Sequence, residues 1–110
     1  VANMDNVASQ MGQIGVKDKS LIWNTDLIEA MELENLVGQA LVTIRSADQS
    51  AESRGAHAHE AWPERDAENW RKHTVMGLDE QNRSTVGYRS VAMNTLSNDV
   101  APIPPAPRVY

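Results

Sequence analysis

The sequence predicts a mainly α-helical chain, a partial helical bundle followed by a β-hairpin and an extended Pro-rich tail. Three observations support this prediction. Apolar residues recur at helical spacing through the first half of the chain, two short runs of alternating residues flank a polar stretch in its second half, and most of the prolines lie close to its end. We therefore expect a helical bundle segment over residues 1–50, and a loop, hairpin and tail over residues 51–110.

The first predicted helix runs from about Ala2 to Ile14. Met4, Val7 and Met11 precede Ile14 at intervals of three and four residues, which is the spacing of one helix face. Two glycines weaken the end of this helix, and a polar turn follows. No capping residue precedes the helix, so we expect that the sequence begins inside an element and is a fragment.

The strongest helical pattern runs from Asp26 to about Ala47. Thr25 or Asp26 is expected to cap the first turn, and Asp26 with Glu29 has the spacing of a capping box. Acidic residues in the first half and Arg45 near the end suit the helix dipole. The apolar stripe of this helix is expected to pack against the first helix, and it consists of Leu33, Leu36, Val37, Ala40, Leu41 and Ile44.

The second half of the chain is predicted to begin with an ordered loop over residues 48–68, with a short helix near residues 65–70. Strands are expected at 72–78 and 85–91, because both runs carry β-branched or alternating residues and five polar residues join them. The tail should lie extended on a surface, since prolines suit neither a helix interior nor a central strand. The tail prolines are Pro102, Pro104, Pro105 and Pro107.

Composition narrows the classes of function. The chain has 110 residues, which is enough for one small domain, and a formal net charge of -5, which is the wrong sign for binding nucleic acid. It contains no cysteine, so disulfides, iron-sulfur ligation and thiolate zinc sites are excluded. No apolar run approaches the roughly 20 residues that a bilayer helix needs, so we expect membrane association only through a partner. Aromatic residues make up 5% of the chain, a lean supply for a free-standing core.

His57 and His59 are the most obvious candidates for chemistry, because residues two apart share one side of an extended backbone. A zinc site needs three or four ligands, and the chain otherwise offers the distant His73 and scattered carboxylates. We therefore favour hydrogen bonding across an internal interface over metal binding.

Ser53, Arg54 and His57 place a nucleophile near a base in sequence, but no strand–turn–helix elbow surrounds the serine. Arg54 followed by Gly55 suits a tight contact, since a guanidinium forks onto a carboxylate and glycine tolerates positive φ. We prefer a salt bridge within the loop over a direct role in substrate or flavin binding. No catalytic, cofactor-binding or metal-binding residue is assigned. The tryptophans, interpreted as packing anchors, are Trp23, Trp62 and Trp70.

Four strings occur along the chain in a fixed order. They are LIWNTDLIEAMELENL at 21–36, ESRGAH at 52–57, PERDAENWRKHT at 63–74 and PPAPRVY at 104–110. Together they strongly resemble the C-terminal region of succinate dehydrogenase flavoprotein subunits. Fumarate reductase flavoproteins share much of this pattern and are the close alternative.

The resemblance implies a spectrin-repeat-like three-helix bundle followed by a smaller β-containing tail, both packing on the flavoprotein body. It implies a parent subunit that oxidises succinate to fumarate with FAD and passes electrons to an iron-sulfur subunit and then to quinone. The family's flavin-attachment and dicarboxylate-binding residues lie upstream, so FAD is expected in the complete subunit and not in this segment. The resemblance places the subunit peripherally, on the cytoplasmic side of a bacterial inner membrane or the matrix side of the mitochondrial one.

The chain departs from the family pattern at three positions in the loop. Many relatives have arginine in place of His59 and aspartate in place of Ala61 and Ala67. This chain therefore lacks the charge pairs that those residues could form. We nevertheless hypothesise that Arg54, His57 and their loop fix this region against the flavin-bearing body. Two other hypotheses are a separately encoded, non-catalytic interaction subunit and a stand-alone enzyme, and the latter lacks a nucleotide loop, a metal cluster and a nucleophile.

Overall fold

The computed structural model describes residues 1–106, which form two α-helices and a two-stranded antiparallel sheet. Helix α1 spans Ala2–Gln10, helix α2 spans Thr25–Gln49, strand β1 spans Lys72–Leu78 and strand β2 spans Ser84–Ser90. The predicted order of helices followed by a hairpin is confirmed. The chain divides into two compact units, one of residues 1–49 and 76–86 and the other of residues 50–75 and 87 onward.

The first helix begins at Ala2 as its apolar spacing predicts, but it ends four residues before the predicted end at Ile14. Helix α1 ends at Gln10, and a single 3₁₀ turn, Met11–Gln13, carries the chain to Ile14. No side chain caps the start of α1 at Val1, as the sequence predicts. None of the residues of α1 is buried, so this helix contributes little core of its own.

Helix α2 is capped by Asn24, and the prediction that Thr25 or Asp26 provides the cap is wrong. The backbone N–H of Leu27 donates to Asn24 Oδ1 at 2.9 Å. The amide nitrogen of Asn24 donates to the carbonyl oxygens of Asp18 at 3.0 Å and Ser20 at 2.8 Å. One amide side chain thus satisfies the helix start and two carbonyl oxygens of the preceding turn together. A carboxylate has no donor for that turn, and a threonine hydroxyl has only one.

The apolar stripe of α2 is covered only at its centre. Within residues 1–106, the buried apolar side chains are Val37 and Leu41, at 7% and 0% exposure. Leu36 lies on the same predicted stripe but is 63% exposed. Helix α1 packs against α2, and Arg45 near the end of α2 forms an ion pair with Asp5 at 2.5 Å. The predicted contact between the two helices is therefore confirmed, although three of the six stripe residues, Leu33, Leu36 and Ile44, remain exposed.

The hairpin confirms the prediction made from its five-residue polar loop. Strand β2 begins and ends one residue earlier than expected, and the loop spans residues 79–83. The Asp79 carboxylate accepts the backbone N–H groups of Gln81 at 3.0 Å and Arg83 at 2.9 Å, and Arg83 Nε at 2.7 Å. These hydrogen bonds, that from the Arg83 backbone first, lower the pKa of Asp79 from its ordinary value. Strand β2 is exposed along its whole length.

The tail has no helix or strand over residues 101–106, which are all exposed. Arg65 Nη1 donates to the carbonyl oxygen of Ala106 at 3.0 Å, which holds this stretch to the loop of the same unit. Pro107 and the rest of the PPAPRVY string lie outside the described residues. No helix within residues 1–106 is long and apolar enough to cross a membrane.

Candidate functional site

The loop of residues 50–71, called here the Arg54 loop, is organised around a buried carboxylate. Glu52 is 3% exposed, although glutamate is almost never buried without a partner. Arg54 provides that partner, since its Nε lies 2.6 Å from Oε1 of Glu52 and its Nη2 lies 2.9 Å from Oε2. The predicted salt bridge within the loop is confirmed, and its two parallel hydrogen bonds give it the strong bidentate geometry.

The Glu52–Arg54 pair also ties together distant parts of the loop. The backbone N–H of Asp66 donates to Glu52 Oε2 at 3.0 Å, and Arg54 Nη2 donates to the Asp66 carbonyl oxygen at 3.4 Å. The hydrogen bond to the Glu52 carboxylate raises the pKa of Arg54 above its ordinary value, so the guanidinium stays charged. Arg54 therefore has its charge matched inside the loop.

A tight turn at Arg54 depends on glycine. The backbone N–H of Arg54 donates to the carbonyl oxygen of His57 at 2.9 Å, and the reciprocal hydrogen bond measures 3.0 Å. Gly55 inside this turn has φ of 60°, a conformation that other L-residues adopt at a cost. The expectation that Gly55 serves a positive φ angle is confirmed.

The predicted short helix over residues 65–70 is wrong, and a single turn takes its place. The carboxylate of Asp66 accepts the backbone N–H groups of Glu68 at 3.1 Å and Asn69 at 3.0 Å, and the Asn69 side-chain amide at 2.8 Å. The hydrogen bonds from Asn69, helped by that from Glu68, lower the pKa of Asp66. These bonds have the pattern of a helix N-cap, and the backbone N–H of Trp70 completes one helical turn by donating to the Asp66 carbonyl oxygen at 3.0 Å. The turn does not continue as a helix, since strand β1 begins at Lys72.

Ser53 is held by hydrogen bonds that leave no role as a nucleophile. Its hydroxyl donates to the carbonyl oxygen of Trp62 at 2.7 Å and accepts the backbone N–H of His59 at 2.9 Å. Its nearest base in sequence, His57, instead places Nε2 3.4 Å from the carbonyl oxygen of Ser50. The Ser53, Arg54 and His57 combination is therefore a structural arrangement and not an assembled triad.

The structure brings the rings of His57 and His59 close together. Their ring centroids are 6.2 Å apart in an edge-to-face arrangement. Among residues 1–106, no group of three or more histidine, aspartate or glutamate side chains is placed to hold a metal ion. His73 lies on β1, away from this loop in sequence. His59 Nδ1 is buried without a hydrogen-bond partner within the described residues.

Sequence reasoning missed an aromatic clamp at the base of the hairpin. Lys72 Nζ lies 4.5 Å from the ring centroid of Trp70 and 4.1 Å from that of Tyr88. The two rings meet edge to face with centroids 6.1 Å apart. An ammonium between two π faces is attracted by both of them. The packing role expected of Trp70 is confirmed. The pairing register of the predicted hairpin was the sequence signal that could have placed Tyr88 beside Trp70.

The first unit contains a groove of about 610 Å³ in which the lining arginine side chains are already paired. It is lined by Arg45 and Arg83 among others. Both guanidinium groups are already paired with carboxylates, those of Asp5 and Asp79. The groove therefore has no unmatched positive charge to attract an anion.

The uncovered surface is the most distinctive property of the chain. Leu21, Ile22 and Trp23 are consecutive and are 93%, 78% and 92% exposed. The expectation that Trp23 is a packing anchor is therefore not met by the contacts of residues 1–106. Further along α2, Ile28 and Met31 are 54% and 62% exposed. The Arg54 loop is thus closed by its own hydrogen bonds, and the described residues leave extensive apolar surface uncovered.

Comparison with known proteins shows the family to which the chain belongs. A family profile described as fumarate reductase flavoprotein C-term matches residues 1–110. The chain belongs to this family, the C-terminal region of the succinate dehydrogenase and fumarate reductase flavoproteins. The resemblance inferred from the four sequence strings is therefore confirmed.

Individual relatives agree over nearly the whole chain. The succinate dehydrogenase flavoprotein subunit of Rickettsia bellii is 50% identical over 97% of this chain, and the mitochondrial one of Oryza sativa is 50% identical over 88%. An E. coli quinol fumarate reductase structure superposes on 99% of this chain with a TM-score of 0.82 and 31% identity. The chain spans 18% of the Rickettsia bellii protein, 15% of the Oryza sativa protein and 18% of the E. coli chain.

Proposed function

We propose that this chain is the C-terminal structural and docking region of a succinate dehydrogenase flavoprotein subunit. The observation that supports this proposal most strongly is the difference in identity between two groups of relatives. Succinate dehydrogenase subunits from Rickettsia bellii and Oryza sativa are each 50% identical to it, whereas the fumarate reductase subunit of Mycobacterium tuberculosis is 33% identical. A fumarate reductase flavoprotein remains the second candidate, favoured by the superposition on the E. coli structure.

In the complete subunit, FAD accepts two electrons as succinate is oxidised to fumarate, and the electrons leave through an iron-sulfur subunit to quinone. The residues described here do not fit FAD. Arg54 is engaged by Glu52, and the loop at Gly55 is closed by its own backbone hydrogen bonds. A dinucleotide needs a free, glycine-rich turn at a helix start, so the flavin is held elsewhere in the subunit.

This chain contributes structure to the subunit. Residues 1–50 provide part of a spectrin-repeat-like three-helix bundle, and the exposed apolar positions on α2 receive the missing helix. Residues 51–110 form the loop, hairpin and Pro-rich tail that pack on the flavoprotein body, with Arg54 and His57 setting the shape of the loop. Both regions are uncovered to the degree expected of a segment that folds against a larger body.

The partners of this region are the rest of the flavoprotein and the iron-sulfur subunit, and a membrane anchor is reached only indirectly. Nucleic acid is not a partner, given the net charge of -5. The subunit is peripheral, on the cytoplasmic face of a bacterial inner membrane or the matrix face of the mitochondrial one. There it links the tricarboxylic acid cycle to electron transport.

The experiment that tests this proposal isolates the native polypeptide that contains this sequence and assays it in both directions. Succinate-dependent reduction of an artificial acceptor should exceed fumarate reduction by a reduced donor. Faster fumarate reduction would favour the second candidate. Activity in neither direction, in a preparation without flavin, would favour a separately encoded interaction subunit.

A further inference from the structure

The segment Leu21-Ile22-Trp23, called here the LIW segment, projects three large apolar side chains from the first unit. Their exposed fractions are 93%, 78% and 92%. Single exposed apolar residues are common on protein surfaces, but three adjacent ones form a patch that water solvates poorly. Tryptophan in particular is enriched among residues that dominate the energy of interfaces.

The LIW segment is also held in place by hydrogen bonds of the residues on either side of it. Asn24 fixes its end through hydrogen bonds to the carbonyl oxygens of Asp18 and Ser20 and to the first turn of α2. The Asp18 carboxylate accepts the backbone N–H of Ser20 at 2.8 Å and its hydroxyl at 2.9 Å. These two bonds lower the pKa of Asp18 from its ordinary value, the backbone bond from Ser20 first.

Trp23 has a backbone conformation that supports a functional interpretation. Its φ angle is 54°, which is uncommon for a bulky residue. Such conformations persist where the surroundings determine them, and they are concentrated at sites of function. Asn24, which follows Trp23 directly, bonds the preceding turn and the start of α2, and Trp23 itself is 92% exposed.

We propose that the LIW segment is the anchor by which this region docks into an apolar pocket on the flavin-bearing part of the same subunit. This inference rests on the proposed function and adds the docking residues and their occupant. Trp23 enters the pocket, and Leu21 and Ile22 exclude water at its edge.

Three observations favour the same polypeptide over a separate one as the occupant. The segment contains no charged side chain, which is typical of permanent interfaces, whereas separable partners meet through more polar surfaces. The chain spans 18% of its Rickettsia bellii relative, so most of such a subunit lies outside it and is tethered to it at high effective concentration. The fold is retained in the E. coli structure, where the matched region is 18% of a longer chain.

The test is hydroxyl-radical footprinting of the wild-type, full-length flavoprotein, with and without its iron-sulfur subunit. Oxidation of Trp23 is compared with that of the same residue in denaturant. We expect the isolated flavoprotein to protect Trp23 by about tenfold or more, as a buried interface side chain should be. Protection that arises only when the iron-sulfur subunit is added would overturn the proposal, and so would rapid oxidation in both samples.

A pair of variants tests the energetic role of the same side chain. In the full-length flavoprotein, Trp23→Ser should increase tryptic cleavage at Lys19 by about 30-fold, the factor that matches a hot-spot residue. Trp23→Phe should restore most of the resistance, because it retains an aromatic ring. Glu80→Ser, which alters an exposed side chain on the hairpin loop, is the matched control and should leave cleavage unchanged. Equal cleavage of the Trp23→Ser variant and the wild type would contradict the proposal.

The failure of this inference can be distinguished from failure of the proposed function. Flavin content and succinate oxidation are measured on the same preparations. A protected Trp23 in a flavoprotein that does not act on succinate would overturn the proposed substrate but leave the docking anchor standing. An oxidised Trp23 in an active succinate dehydrogenase would overturn the anchor alone.

Discussion

Replacing Arg54 by alanine should open the Arg54 loop, because it would leave the Glu52 carboxylate buried without its cation. Glu52 is 3% exposed, and the substitution removes two of its hydrogen bonds, at 2.6 and 2.9 Å. One bond, from the Asp66 backbone N–H, would remain. Breaking a fully buried pair costs about 3–5 kcal/mol. Because the Arg54 side chain is 32% exposed, we expect a smaller cost of about 2 kcal/mol.

Hydrogen exchange within the full-length flavoprotein measures this cost locally. The reporters are the backbone N–H groups of Arg54 and His57, which close the turn. A loss of about 2 kcal/mol should accelerate their exchange roughly 30-fold. Arg54→Lys should give an intermediate result, since an ammonium retains the charge but not the fork.

A double-mutant cycle separates the interaction energy of Glu52 and Arg54 from the other effects of replacing Arg54. Replacing Glu52 by leucine in the Arg54→Ala background removes the buried charge, so it should recover part of the lost protection. Unchanged exchange at His57 in the Arg54→Ala variant would refute the reasoning, because it would mean that Glu52 does not depend on Arg54.

Three further predictions concern single side chains in the full-length protein. Gly55→Ala should destabilise the Arg54 turn by about 1–2 kcal/mol, seen as faster exchange at His57, since φ is 60° there; Ala56→Ser is its control. Asn24→Ala should destabilise the start of α2 by about 1 kcal/mol or more because the helix cap is lost, and faster hydrogen exchange at the Leu27 N–H measures this loss. Asn24→Asp should recover the cap but not the two hydrogen bonds that the amide donates. The hairpin loop should lose stability on acidification, because the pKa of Asp79 is lowered in the folded state. The stabilisation from the ionised Asp79 carboxylate is complete above the ordinary Asp pKa of 3.8, and it is lost as the pH falls through the folded pKa. Peptic cleavage in the loop should therefore rise below 3.8, and Asp79→Asn should flatten that dependence.

Local sequence signals predicted the elements well where the determinants are close together in the chain. The two strands and their five-residue loop follow from alternation and from polar residues, and Asp79 closes that loop using its own neighbours. Helix α2 is within two residues of its predicted bounds. The Glu52–Arg54 salt bridge could also be predicted from the sequence, since its partners are two residues apart.

The errors arose where one side chain satisfies two regions. Asn24 is the cap of α2 because its amide also binds carbonyl oxygens of the preceding turn, which no helix pattern encodes. Asp66 caps a single turn, and the helix expected over residues 65–70 does not extend beyond it because strand β1 begins at Lys72. Periodicity identified the apolar face of α2 but not what covers it, so the exposure of Leu36 at 63% could not be foreseen.

The central claim is that this chain is the docking region of a larger flavoprotein. The most direct test is the intact mass of the native polypeptide recognised by an antibody to this sequence, together with the flavin absorbance of the same species. We predict a mass several times 12.1 kDa with bound flavin. A native polypeptide of 12.1 kDa without flavin would contradict the claim.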